Sequence, residues 1–302
     1  KADWQYPVPS IDFNQVTTGL CTMKRTAFAD YAATSALATQ ANACTQVPTT
    51  RTNAYLPQRA TNGSYNQTRG WEIDLNSNNT YNLYQVNGEN DQAANYTAAL
   101  TRVLTASNIA IPPSGVIFAE DNVWVRTTAG FNGRVTIGAG RLATNSNAQI
   151  MIADDMQYAV KNGTIAIGLV AEGNVSIAPY APPQSGSFTF EVNAAIVSQS
   201  GNVLYPSTYR TNSSRCTLGW VNSNQIFSFY GSVATRQTWT WTWIRGSSCA
   251  NAVYSASDGG YISGISHNNT EYDYSLSYTP PPSFPITSSY NILSWREVLT
   301  TP

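Results

Sequence analysis

The phrase Ile117-Phe118-Ala119-Glu120-Asp121-Asn122-Val123-Trp124-Val125 returns as Leu169-Val170-Ala171-Glu172-Gly173-Asn174-Val175-Ser176-Ile177. The two copies are identical at Ala119/Ala171, Glu120/Glu172, Asn122/Asn174 and Val123/Val175, and apolar at both ends. Looser versions occupy residues 151–158 and 196–205. A strand as short as Val123-Trp124-Val125 cannot bury its own apolar face, whereas similar strands stacked as rungs form parallel ladders around one continuous core. The repeat therefore predicts a mainly β protein, a parallel β-solenoid (β-helix) over residues 111–302. Its corners, Asp121-Asn122, Gly173-Asn174 and Gly201-Asn202, carry residues that tolerate positive φ. The phrases are unevenly spaced, so either the turns differ in length or some phrases lie on different faces.

Residues 1–110 read as a small N-terminal α+β cap. Phe13, Val16, Leu20, Met23, Ala27 and Tyr31 recur at helical spacing behind Asp12, predicting a helix over about 12–42. A hairpin is predicted over about 71–86, and residues 93–104 read as helical. Further strands are expected at 134–137, 188–192 and 226–230. Trp239-Thr240-Trp241-Thr242-Trp243 reads as one strand with three indoles on one face. Residues 205–225 and 245–274 read as excursions from the coil, and Pro280-Pro281-Pro282-Ser283-Phe284-Pro285 as an extended strap across it.

Charged residues make up only 11% of the 302-residue chain, against roughly 25% in average globular proteins. Neutral polar surfaces of this kind suit an extracellular protein. With Lys1, Lys24 and Lys161 as the lysines and a net charge of -1, no whole-chain field draws in nucleic acid or anionic lipid. A local arginine stripe remains as a route to polyanions. No run of eighteen apolar residues is present to span a membrane, and the opening Lys1-Ala2-Asp3-Trp4 lacks a signal peptide, so any targeting or anchoring segment is expected upstream. The four cysteines allow three connectivities, of which the sequence-local pairs Cys21 with Cys44 and Cys216 with Cys249 are expected. Zinc-knuckle and CxxC spacings are absent and His267 stands alone, so these are read as structural disulfides of an exported protein, with no metal or cofactor.

Residues 115–125, 133–137, 154–158 and 168–175, with the closing Pro281-Pro282-Ser283-Phe284-Pro285 and Ser294-Trp295-Arg296-Glu297, resemble a β-solenoid domain of bacterial surface proteins, among them minor-pilin-like proteins of type IV pili. The resemblance covers about residues 110–300. It implies a non-enzymatic module displayed on a pilus, with other pilins or tip components as partners. A competence-associated minor pilin in this group implies DNA capture for natural transformation, and adhesion to a surface glycan is the other ligand class. Membrane attachment would come only through an upstream segment.

The acidic pairs Glu120-Asp121 and Asp154-Asp155 are candidates for chemistry. Neighbouring residues on a strand face opposite ways, but one acid from each of several rungs could converge on a glycosidic bond. A polysaccharide lyase or glycoside hydrolase built from Glu120, Asp154 and Glu172 is therefore the alternative function. The commoner use of corner acids is to bond backbone amides, and calcium at stacked Asp corners is a third use. No residue is assigned a catalytic role. For ligand binding, Arg210, Arg215 and Arg245 could grip phosphates, and Trp239, Trp241 and Trp243 form a stacking platform if exposed or a covered flank if buried. Arg126, Arg134 and Arg141 form a second arginine group near the first rungs.

Overall fold

The computed structural model describes residues 13–29, 44–59, 67–144 and 146–285. It is mainly β, with two large sheets between which the chain alternates. The first sheet is wholly parallel and runs, in spatial order, β1 (Tyr55–Leu56), β5 (Val116–Ala119), β7 (Arg134–Ala139), β9 (Ala166–Ala171), β11 (Phe188–Ser198), β14 (Gln225–Thr235) and β19 (Asn268–Tyr272). The second runs β15 (Trp239–Thr240), β12 (Val203–Leu204), β10 (Val175–Ile177), β8 (Ile150–Ile152), β6 (Asn122–Thr128) and β2 (Gly70–Asn76), all parallel. The antiparallel β3 (Thr80–Glu89) and β4 (Leu100–Ala110) complete it. A smaller third sheet contains β13 (Gly219–Trp220), β16 (Thr242–Arg245), β17 (Val253–Ser255) and β18 (Gly260–Ile265).

The registers explain the burial. Val123, Ile150, Val175 and Val203 lie opposite one another in successive strands of the second sheet. Ile117, Ile137, Leu169 and Ile196 do the same in the first. All eight are at most 1% exposed and belong to one core cluster. Burying an aliphatic side chain of this size contributes about 1.5–3 kcal/mol, so each residue of the two columns adds to the stability of the paired sheets.

The corners work differently from expectation. None of Asp121, Asn122, Gly173, Asn174, Gly201 or Asn202 has positive φ. Instead each Asn side chain accepts a backbone N–H from the adjacent rung: Asn122 from Gln149 at 3.1 Å, Asn174 from Asn202 at 2.8 Å and Asn202 from Thr238 at 3.0 Å. Gly201 is needed for close approach, because a Cβ there would lie 2.3 Å from Asn174 Oδ1. The uneven spacing has two causes. Rungs differ in length, and residues 151–158 begin in the second sheet, whereas Ile117 and Leu169 begin in the first.

Other sequence expectations need correction. The N-terminal region does not stand apart from the two sheets: β1 and β2 are strands of them, and only β3 and β4 extend beyond the parallel ladder. Residues 93–104 form one helical turn, α2 (Tyr96–Ala99), capped by Asn95, and then enter β4, where pairing with β3 outweighs helix propensity. The predicted helix appears as α1 (Phe13–Ala29); the rest of the 12–42 span and residues 294–297 lie outside the described residues.

Helix α1 covers the outer face of the first sheet. Val16, Leu20, Met23, Ala27 and Phe28 pack on Tyr55, Val116, Phe118, Val170 and Val197 as a second apolar cluster. Beside the helix, residues 279–285 cross the same face. Arg134 donates to the Thr279 and Pro280 carbonyls at 2.7 Å each, and Thr136 Oγ1 donates to the Pro282 carbonyl. Both disulfides are formed, Cys21 to Cys44 and Cys216 to Cys249. No described helix is long and apolar enough to cross a membrane.

Candidate ligand-binding cleft

Outward-facing positions of the second sheet form their own column: Glu72, Trp124, Met151, Ser176, Leu204 and Thr240. At the Trp124 level this face is closed. The indole N–H donates to Glu89 Oε1 at 3.0 Å, and the same oxygen accepts the Tyr180 hydroxyl at 3.0 Å. Burial, reinforced by the Glu89 charge, pushes the Tyr180 phenol far up, so it stays a donor. Beyond Trp124 the column shrinks to serine and a cleft of about 170 Å³ opens. Met151, Ser176 and Leu204 line its floor, and Gln149 and Asn174 its corner side. Glu89, Asp91, Thr208, Tyr209 and Arg210 close over it.

The closing residues are held by polar contacts. Arg210 pairs with Glu89 at 2.7 Å and also donates to the Gln67 carbonyl at 2.8 Å. Asp91, 2% exposed, accepts the Thr211 N–H at 2.8 Å and the Thr211 hydroxyl. Arg215 donates to Gln92 at 2.9 Å and Asn251 at 3.3 Å, and faces the Tyr209 ring at 5.8 Å. Two of the three predicted phosphate-binding arginines are therefore engaged in holding loops together. Arg245 lies half-exposed on β16, opposite Tyr261 and away from the cleft.

The tryptophan platform is not formed. The strand breaks at Trp241, so β15 belongs to the second sheet and β16 to the third. Trp241 is buried, 5.0 Å from Phe227 and 5.9 Å from Phe229. Trp243 donates to the Tyr205 carbonyl at 2.7 Å, and Trp239, 46% exposed, meets Trp241 edge-on at 6.2 Å. The aromatic residues thus cap the end of the core. The two excursions are also more regular than expected, since they build the third sheet, which buries Trp220, Ile262, Ser263 and Ile265.

The three acids Glu120, Asp154 and Glu172 do not meet at one corner. Glu120, 2% exposed, pairs with Lys24 beneath α1. Burial pushes its carboxyl up, while Lys24 pulls it back. Asp121 accepts the Arg59 N–H at 2.6 Å, Glu172 that of Arg141 at 2.7 Å and Asp155 that of Glu191 at 2.6 Å. Glu120 and Glu172 share the corner that holds the buried Arg141. Asp154 lies at the opposite corner, near Arg126 and Asp74. Burial and the Asp154 and Glu191 charges push the Asp155 carboxyl up to about 6. No group of three potential metal ligands occurs among the described residues. His267 Nε2 lies 2.9 Å from the Val221 carbonyl.

In the second arginine group, Arg126 joins Asp74 at 2.6 Å and stacks on Tyr96 at 4.3 Å. Arg102 pairs with the buried Glu72 beside it. Arg134 holds the strap, and Arg141 is 4% exposed. Comparison with protein-family models, with curated proteins and with solved structures returns no match, so function rests on geometry.

Proposed function

We propose that this chain is a non-enzymatic recognition module, the extracellular part of a minor-pilin-like surface protein whose alternating sheets coil as a β-solenoid. The observation that carries the non-enzymatic reading is the commitment of the corner carboxylates. Asp121, Asp155 and Glu172 hold backbone amides and Glu120 holds Lys24. A glycosidase needs two carboxyls about 5–9.5 Å apart across an open site; Glu120, at the same corner as Glu172, is 2% exposed and paired with Lys24, and Asp154 lies at a different corner. The coil reading is supported by the regular exchange of strands between two parallel sheets. The two disulfides agree with export to a cell surface. Assignment to a pilus rests on the quoted phrases and brings other pilins or tip components as partners.

Between the two ligand classes the geometry favours adhesion over DNA capture, because Arg210 is paired with Glu89 and Arg215 is drawn in by Gln92, Asn251 and the Tyr209 ring. The purified chain should stay on a polysaccharide-coated surface with little dependence on salt. Its binding to duplex DNA should be weak, and Arg245→Ala should change it little. Tight DNA binding with a steep salt slope, lost in Arg245→Ala, would restore nucleic acid as the ligand. Reducing ends released from common polysaccharides would restore the hydrolase or lyase.

A further inference from the structure

We infer that the cleft over Ser176 takes one neutral pyranose ring. The inference rests on the recognition reading above and adds to it a site and a ligand class. At about 170 Å³ the cleft is smaller than the roughly 300–1,000 Å³ of sites for drug-sized ligands, which suits a single ring.

The charged groups around it are engaged with one another and with the loops. Glu89 accepts Trp124 and Tyr180 on one oxygen and Arg210 on the other, and both Asp91 oxygens accept from Thr211. Arg210 is matched by Glu89, and Asp91 leaves the rim with a net negative charge, which disfavours a phosphate or carboxylate. Beside them stand neutral groups with no partner of their own among the described residues. Ser176 Oγ, Thr208 Oγ1 and the Gln149 carboxamide make no hydrogen bond to described residues. Asn174 uses its oxygen on Asn202, which leaves its amide nitrogen. Ser176 is itself 9% exposed, and its unpartnered hydroxyl lies in the cleft floor between Met151 and Leu204. A floor of thioether and aliphatic carbon flanked by hydroxyl and carboxamide groups matches a sugar ring, which presents C–H groups on its face and hydroxyls at its edge.

Methyl glucoside, methyl galactoside and methyl mannoside are the probes, titrated against the whole chain with methionine methyls observed by NMR. At least one should shift the Met151 methyl saturably. Methyl glucuronide and glucose 6-phosphate should bind more weakly. Ser176→Met, which copies the neighbouring rung, should weaken binding roughly tenfold or more with an unchanged melting temperature, and Gln149→Ala should weaken it by a smaller factor. The proposal is overturned if no neutral glycoside moves Met151, if the charged sugars bind better, or if Ser176→Met binds as well as wild type. Failure here leaves surface recognition standing if the chain still adheres. Release of methanol from a methyl glycoside during the titration would instead sink the non-enzymatic reading and keep the pocket.

Discussion

Lys24 and Glu120 are 1% and 2% exposed, and their pairing ties α1 to the first corner of the stack. The Tyr55 hydroxyl lies near the same carboxyl and donates to the Pro48 carbonyl at 3.2 Å. Removing one partner of such a pair strands the other in an apolar surround, so Lys24→Ala should lower stability by about 3–5 kcal/mol in urea melts. Asp155 behaves in the opposite sense to a stabilising ion pair. Its folded pKa of about 6 exceeds the ordinary 3.8, so the folded state holds the proton more tightly and stability rises as pH falls through this window. Glu120, Asp121, Asp154 and Glu172 are shifted in the same direction. The melting temperature should therefore increase from about pH 7.5 to about pH 5, and less steeply in Asp155→Asn. At this scale the cleft had one legible sign. The repeat carries Trp124 in one copy and Ser176 in the other, and the loss of that indole opens the floor. Glu89, Thr208 and Tyr209 belong to no repeat, and only the folded registers bring them there.

Glycines decide how the covering elements seat. A Cβ on Gly138 would lie 2.7 Å from Met23 Cε and 2.9 Å from Phe118 Cδ2, and one on Gly168 would lie 2.8 Å from Phe284. Gly138→Ala should cost about 1–3 kcal/mol by overpacking, and less in a Met23→Ala background. A double-mutant cycle in urea would measure the difference. The Cys216–Cys249 bridge acts on a different element. It closes a loop of 33 residues of separation around the third sheet. Replacing both cysteines by Ala should cost about 2–4 kcal/mol and admit protease near residues 246–250 while the two main sheets stay intact. Strand positions in the repeat were legible because apolar runs and polar corners alternate. The Trp239–Trp243 strand was not, because alternation fixes which side a residue faces but not the point where a chain leaves one sheet for another. The same limit applied to residues 93–104, whose helical composition yields to pairing with β3.

For the whole molecule, the repeated phrase was enough to foresee parallel stacking, since short strands have few other ways to bury an apolar face. It could not reveal that β1 and β2 join the same sheets, because residues 55–56 and 70–76 do not share the phrase. Nor could it show that rung length varies, which depends on what each turn must pack against. The columns of inward side chains make a direct test possible. In a sample labelled at isoleucine and valine methyls, nuclear Overhauser contacts should link Val123 to Ile150, Ile150 to Val175 and Val175 to Val203, each to its neighbour, with none between Val123 and Val203. Contacts that skip rungs, or that join these residues in an antiparallel order, would contradict the stacked arrangement on which the cleft and the recognition reading depend.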